Sequence, residues 1–204
     1  MEETVFEIRY KNIILRDMVE SDMEDWIRWY NVETEWADWD APDMELTPVE
    51  PDSYRQEMRE MLNVPREGFR SFFELAASDD CHIGMVTSYP IDENYRRIPY
   101  EQWGSAAQRN TTLGIVICDS RYWGRGLGTQ ALAAFVKHHI IHNDPELYLQ
   151  TWSGNIRMIK CAEKLGFTEC NRIVGNRNIR GGIYDSLTFR LDLDRFHKYL
   201  TENP

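Results

Sequence analysis

The sequence predicts an α+β fold in which a mixed, mostly antiparallel central sheet is flanked by helices. Three observations point to it. Short runs rich in β-branched and aromatic residues recur with turn residues between them, as hairpins require. Longer segments between them space their apolar residues at helical intervals. At 111–141 a strand, a glycine-rich turn and a helix follow one another without a break. No repeat, low-complexity tract or Ser/Gly linker interrupts the 204 residues, a length that suits a single domain over 1–204.

Taken in order, residues Phe6–Arg16 alternate apolar and polar, with Lys11-Asn12 as the turn of a hairpin. A helix is expected from Ser21 to Asn31, with Ser21 as N-cap, Glu24 three residues on, and Met23, Ile27 and Tyr30 on one face. A loop containing Pro42 and Pro48 leads to a second helix from Pro51 to Asn63. Phe69–Ala77 and His82–Tyr89 read as strands joined by Ser78-Asp79-Asp80-Cys81. The segment from Pro90 to Asn110 is long and polar and carries Tyr95, Tyr100 and Trp103, so it is expected to be functional or an oligomer contact. Thr111–Cys118 is a strand, Leu127–Ile141 a helix, and Leu147–Trp152 a short strand. Asn155–Leu165 is a helix stopped by Gly166, and Phe167–Val174 with Ile183–Leu193 form a closing hairpin.

Composition narrows the function. Apolar residues are 42% of the chain and aromatics 12%, which is enough for a packed core. A formal net charge of −11 argues against a sequence-independent nucleic-acid binder, which needs a basic surface. An acidic surface suits a cationic partner, and equally serves solubility. The four cysteines show no C-x-x-C spacing. Met1-Glu2-Glu3-Thr4 lacks the basic and apolar regions of a signal peptide, and no apolar run nears the roughly 20 residues of a membrane span. A cytoplasmic protein with no membrane partner is expected.

The run Arg121-Tyr122-Trp123-Gly124-Arg125-Gly126-Leu127-Gly128-Thr129 places three glycines at alternate positions between a strand and a helix. Bare glycine backbone lets amide N–H groups close around an anion, and the helix directs its positive end at the same point. This is a cradle for a pyrophosphate. The spacing does not fit the G-x-G-x-x-G dinucleotide turn, and no Gly-Lys-Ser/Thr ends it as in a P-loop.

Arg121, Gly124 and Gly126 match the Q/R-x-x-G-x-G/A signature of the GNAT N-acetyltransferases, which this run resembles. Asn155 to Phe167, with its Lys164-Leu165-Gly166-Phe167 end, resembles that family's second cofactor segment. Ile14-Leu15-Arg16 followed by an acidic helix is similar to the branch of ribosomal-protein alanine N-acetyltransferases. The resemblance implies a GNAT-like domain whose strands splay at the cofactor site, between the strand ending at Cys118 and the one ending near Trp152. It implies acetyl-CoA as cosubstrate. Backbone at Val116, Ile117 and Cys118 would pair with the pantetheine arm, and amides from Trp123 through Gly124, Arg125, Gly126, Leu127 and Gly128 to Thr129 would hold the pyrophosphate. Arg121 or Arg125 would add a charged contact, or serve as a solvated surface charge. Asn155 would bond the pantetheine, cap its helix, or do both.

Two family roles do not carry over. The helix position of the thiolate-protonating Tyr is Ala162, and Thr111, Thr112 and Leu113 stand where many members place a Glu. The catalytic residues are therefore left unassigned; Asp119, Ser153, Tyr148 and Glu74 are the side chains considered as substitutes. Trp36-Ala37-Asp38-Trp39-Asp40 lies where the family builds a wall of the acceptor site. Trp36, Asp38, Trp39 and Asp40 there would hold an ammonium by ring and charge, or would anchor a packed loop. His138, His139 and His142 lack a companion ligand pattern, so no metal is expected. The resulting expectation is an acetyl-CoA-dependent N-acetyltransferase acting on a primary amine, either a cationic small molecule such as a polyamine or aminoglycoside, or a protein N-terminus. A homodimer is compatible with it. The alternative is an acyl-CoA-binding regulator that keeps the cradle without chemistry.

Overall fold

A computed structural model of the chain describes residues 6–64, 68–103, 110–142 and 146–204. Its architecture is α+β, with eight strands in one mixed sheet ordered β1-β2-β3-β4-β5-β6-β8-β7. The chain divides into two compact units, Met1–Val86 with Ile115–Ala134, and Thr87–Gly114 with Phe135–Pro204. The opening residues 1–4 and part of the 90–110 insert, residues 104–109, lie outside the described residues. Among the described residues no helix is long and apolar enough to cross a membrane.

In the first unit, β1 (Glu7–Tyr10) and β2 (Ile13–Arg16) form the expected hairpin, with Lys11 at a φ of 52° in its turn. β2 pairs antiparallel with β3 (Phe72–Ala77), and β4 (His82–Ile91) follows after a short turn. Apolar side chains on these strands, Ile13, Leu15, Phe73, Leu75 and Ile83, are fully buried.

The first helix departs from expectation in two ways. α1 (Asp22–Asn31) is not capped by Ser21, which is itself helical and makes no side-chain cap bond. The Asp22 carboxylate instead accepts the Val19 amide at 2.9 Å. Glu24 is drawn away from any capping box by a bidentate bond to Arg55. The buried face is Met23, Trp26 and Trp29, while Ile27 is only half-buried. The two indoles remove more apolar surface from water than Ile27 can, so they set the rotation of the helix.

The loop after α1 contains one helical turn, α2 (Ala37–Asp40). α3 (Pro51–Leu62) begins as its sequence predicts, with Pro51 in the first turn and the Glu50 side chain accepting the amides of Asp52 and Ser53. Met18, Met23, Trp26, Trp29 and Trp36 form one apolar cluster with Val116 and Cys118. The last two lie at the end of β5 (Asn110–Ile117) and just after it.

In the second unit, β5 runs parallel to β6 (Glu146–Trp152), from Asn110↔Glu146 to Leu113↔Leu149. β6 pairs antiparallel with β8 (Gly182–Leu191), which pairs with β7 (Phe167–Ile179). This closing hairpin is longer than expected. Residues Gly175–Asn178 carry no apolar alternation, and irregularities after Glu169 and Ile173 break the period-two signal.

A final helix, α6 (Leu193–Glu202), was not expected. It starts at Asp192, whose carboxylate accepts the Arg195 amide, and it buries Phe196 and Tyr199. α5 (Ile156–Lys164) is capped by Asn155 and followed by Gly166 at a φ of 90°. The insert turns at Asp92–Arg96, where the Asp92 carboxylate accepts the Asn94 and Arg96 amides. α4 (Leu127–Ile141) is buried nearly all round from Ala131 to Val136.

Candidate active site

The glycine-rich run is shaped by three side chains that work on its own backbone. Asp119 accepts the Arg121 amide at 2.9 Å and starts a short helical turn, Ser120–Tyr122. The Arg121 guanidinium returns to the same carboxylate, with its closest contact at 2.6 Å. Burial alone would raise the pKa of Asp119, but the bonds from Arg121 hold it below the usual carboxylate range. Trp123 donates its indole N–H to the Ile117 carbonyl at 2.7 Å, which ties the turn to the end of β5. Arg125 lies over the Tyr122 ring at 5.1 Å.

Gly124 and Gly126 then take φ values of 72° and 77°. A side chain at either would meet no atom within 4 Å, so the backbone conformation, and not crowding, requires glycine. The Gln130 amide bonds the Gly126 carbonyl, so Leu127, Gly128 and Thr129 precede that bond in the first turn of α4. The turn is open, and the positive end of a fifteen-residue helix lies behind it.

The expected pantetheine edge is partly engaged. Val116 and Cys118 bury their side chains in the apolar cluster, and the Cys118 amide bonds the Ile83 carbonyl at 2.8 Å. Burial pushes the Cys118 thiol well above its usual range. Asn155 spends a side-chain oxygen on the Met158 amide at 3.1 Å, which makes it an N-cap.

Of the acceptor-wall residues, Trp36 belongs to the core. It is buried, donates to the Trp29 carbonyl at 3.1 Å, and meets Trp26 and Tyr30 edge-on. Asp38 and Asp40 are exposed and Trp39 is half-buried. In the helical turn of α2, Trp36, Trp39 and Asp40 are spaced to share one face and Asp38 lies off it. Desolvation by the surrounding protein raises the pKa of the Asp40 carboxyl, whose charge acts on Tyr30 and Cys118.

A cavity of about 510 Å³ opens in the first unit. α1 contributes Trp26 and Tyr30 to its lining, and α3 contributes Tyr54, Met58 and Met61. Glu74 from β3 and Met85 from β4 also line it, with Phe69 and Arg70 preceding β3. Trp26, Tyr30 and Met85 also pack in the cluster that holds Val116 and Cys118, so the cavity wall continues into the strand end that leads to the cradle.

Glu74 is the only acid lining this cavity among the described residues. It is 1% exposed and fixed from two sides. Trp26 donates its indole N–H to both carboxylate oxygens at 3.2 Å, and His82 Nε2 lies 2.9 Å from Oε2. His82 Nδ1 meets Asp25 at 3.2 Å and Asp22 at 3.5 Å. Arg16 holds Asp22 with two bonds of 2.6 and 2.7 Å. Burial works to lower the pKa of His82, but hydrogen bonds to Asp25 and Glu74, with the charges of Glu74 and Asp22, raise it to about 9. At neutral pH the ring is an imidazolium, and both of its N–H groups are donors.

All four substitutes considered for catalysis are hydrogen-bonded, and Glu74 alone of them lines this cavity. Asp119 holds Arg121, Ser153 Oγ accepts the Asp185 amide at 3.0 Å, and Tyr148 donates to Glu146 at 2.6 Å. Ala162 is fully buried and Thr112 Oγ is buried without a hydrogen-bond partner, so neither family position supplies an acid or base here. Sequence reading missed His82, Asp22, Asp25 and Arg16 as a unit, because their contacts join residues 6 to 60 positions apart. Among the helix histidines, His142 Nδ1 bonds the His138 carbonyl at 2.7 Å, while His138 and His139 are buried.

The chain matches the model of the acetyltransferase (GNAT) domain over residues 12–168. No curated protein matches it in sequence. Solved structures share its fold. A GNAT-family acetyltransferase from Bacillus anthracis is 11% identical with a TM-score of 0.65, over 91% of this chain and 98% of that one. Ribosomal-protein-S5-alanine acetyltransferase from Vibrio fischeri is 17% identical with a TM-score of 0.64, over 91% and 95%. A ribosomal L7/L12 alpha-N-protein acetyltransferase, solved in complex with coenzyme A, is 14% identical with a TM-score of 0.65, over 91% and 97%. At these identities the likeness is one of fold.

Proposed function

This chain belongs to the GNAT acetyltransferase family, and from that premise we propose that it is an acetyl-CoA-dependent N-acetyltransferase acting on a primary amine. The observation that carries the proposal is the pair of left-handed glycines, Gly124 and Gly126, opening onto the first turn of α4 directly after β5. Amides from Gly124 to Thr129 would surround the pyrophosphate, with the helix end favouring its charge. The backbone about Ile117 would receive the pantetheine arm. The thioester supplies an activated acetyl group and a sulfur leaving group.

The remaining chemistry belongs to the protein and the amine. The ammonium form must first lose a proton, so that a nitrogen lone pair is available. The amine nitrogen then bonds to the acetyl carbonyl carbon as the carbon–sulfur bond breaks, and sulfur keeps the electron pair. A second proton leaves the nitrogen, and the sulfur is protonated through water. Glu74 is the side chain proposed to receive the amine N–H, with Trp26 and His82 as positioning residues. The acceptor is a cationic small amine or a protein N-terminus, the latter by analogy with the ribosomal-protein acetyltransferases that share the fold.

Ala162 and the Thr111–Leu113 stretch favour a second reading, an acyl-CoA-binding regulator without chemistry. Calorimetry with acetyl-CoA, paired with a thiol-release assay over an amine panel, separates them. Binding with amine-dependent CoA release supports the enzyme, and binding with no release above hydrolysis supports the regulator.

A further inference from the structure

The cavity beside Glu74 combines one carboxylate with a wall of rings and thioethers, and this combination selects a particular kind of amine. Trp26 and Tyr30 have ring centroids 5.8 Å apart, and Tyr30 and Tyr54 are 6.1 Å apart, so three aromatic rings form a continuous surface. Met58 and Met85 add polarizable, adaptable side chains to the same lining. The volume of about 510 Å³ lies in the range of sites for drug-sized ligands.

Charge is sparse. Glu74 is the only acid in the lining among the described residues, and the lining cation, Arg70, is bonded to Asp17 at 3.2 Å and to the Gly68 carbonyl at 2.9 Å. A polyamine or aminoglycoside brings several ammonium groups, each needing its own acceptor once desolvated. This cavity supplies one. An amine on an apolar body matches it part for part: the nitrogen to the carboxylate, and the body to the rings.

We infer that the acceptor is a primary monoamine carried on an aromatic or other apolar body, with Glu74 accepting its N–H and the Trp26–Tyr30–Tyr54 surface holding the body. The inference rests on the acetyltransferase reading proposed above. It narrows the acceptor away from the polyamines and aminoglycosides that the acidic composition suggests. A free arylalkylamine and the apolar N-terminal residue of a peptide share this chemistry, and the test tells them apart.

The wild-type protein is given acetyl-CoA with phenethylamine, with a short peptide beginning in methionine, or with spermidine, and CoA release is followed for each. Acetyl-CoA binding is measured separately by calorimetry. The expected result is a kcat/KM for phenethylamine at least about tenfold above that for spermidine. A peptide preferred over both supports the same recognition with a peptide source. Spermidine turned over as well as or better than both apolar amines overturns the inference and leaves the acetyltransferase reading standing. Acetyl-CoA bound without transfer to any amine overturns the inference, and absence of acetyl-CoA binding overturns the parent reading. As an independent readout, phenethylamine should quench tryptophan fluorescence without acetyl-CoA, and Tyr54→Ala should weaken that response with its circular dichroism unchanged. Equal quenching in the two proteins counts against the ring surface.

Discussion

Nε2 of His82 lies 2.9 Å from Oε2 of Glu74, within a network that buries both side chains almost completely. A carboxylate in this position is oriented on one side by an imidazolium and on the other by the Trp26 indole. Glu74 is also part of the lining of the cavity.

Replacing Glu74 by Gln removes the charge with little change of volume. Acetyl transfer to the amine is expected to fall by about 10²–10⁴-fold in kcat/KM, the usual scale for a positioned proton acceptor. Acetyl-CoA affinity should be unchanged, because the cradle does not include this residue. Steady-state kinetics and calorimetry on one preparation check both. Transfer at the wild-type rate would remove Glu74 from the mechanism.

The raised pKa of His82 makes stability depend on pH with a definite sign. The folded value of about 9 lies above the ordinary 6.5, so the folded state holds the proton more tightly. This contribution is complete below about pH 6.5 and is lost as pH rises through about 9. Urea midpoints should decline across that window in the wild type and flatten in His82→Gln. A wild-type midpoint that stays flat from pH 7 to 9 would show that the ring is neutral in the folded protein.

Arg16 and Asp22 form a bidentate pair with side-chain exposures of 14% and 1%. Arg16→Leu leaves the Asp22 carboxylate buried with its strongest partner gone, at a cost of about 3–5 kcal/mol. Denaturant unfolding reads this directly. The double variant Arg16→Leu, Asp22→Leu should recover part of the loss, since it removes both charges.

Trp36 is a packing residue, so Trp36→Ala is expected to cost about 3–5 kcal/mol through the void it leaves. Asp38→Asn, at an exposed position, should stay within about 0.5 kcal/mol of wild type. Comparable small effects from both would return Trp36 to the surface role that its place in the sequence suggests.

Much of the fold was legible because its signals are local. The hairpin at Lys11, the Pro51 helix start and the strand–turn–helix at 110–141 each rest on neighbouring residues. Gly124 and Gly126 could be read for the same reason, since a left-handed turn is a property of a few consecutive residues. The buried face of α1 was misread because Ile27 and Tyr30 fit a helical stripe as well as Trp26 and Trp29 do. Only packing against β3 and β4 decides between them. The site suffered most from distance along the chain. Trp26 and Glu74 are 48 positions apart and His82 and Asp25 are 57 apart, so nothing in their spacing announces a contact. Glu74 entered the sequence reading merely as one of four carboxyl or hydroxyl side chains, and its burial beside Trp26 and His82 singles it out.

The most direct test is a calorimetric titration of acetyl-CoA into the wild type and into Gly126→Glu. The new side chain must adopt a φ of 77° and brings negative charge to the helix end. Strain of about 1–2 kcal/mol leaves a chain of this size folded, with its melting temperature lowered by a few degrees. Saturable binding to the wild type, and no measurable heat with a folded variant, is the predicted result. Equal affinity in the two proteins would contradict the assignment of this turn as the acetyl-CoA cradle.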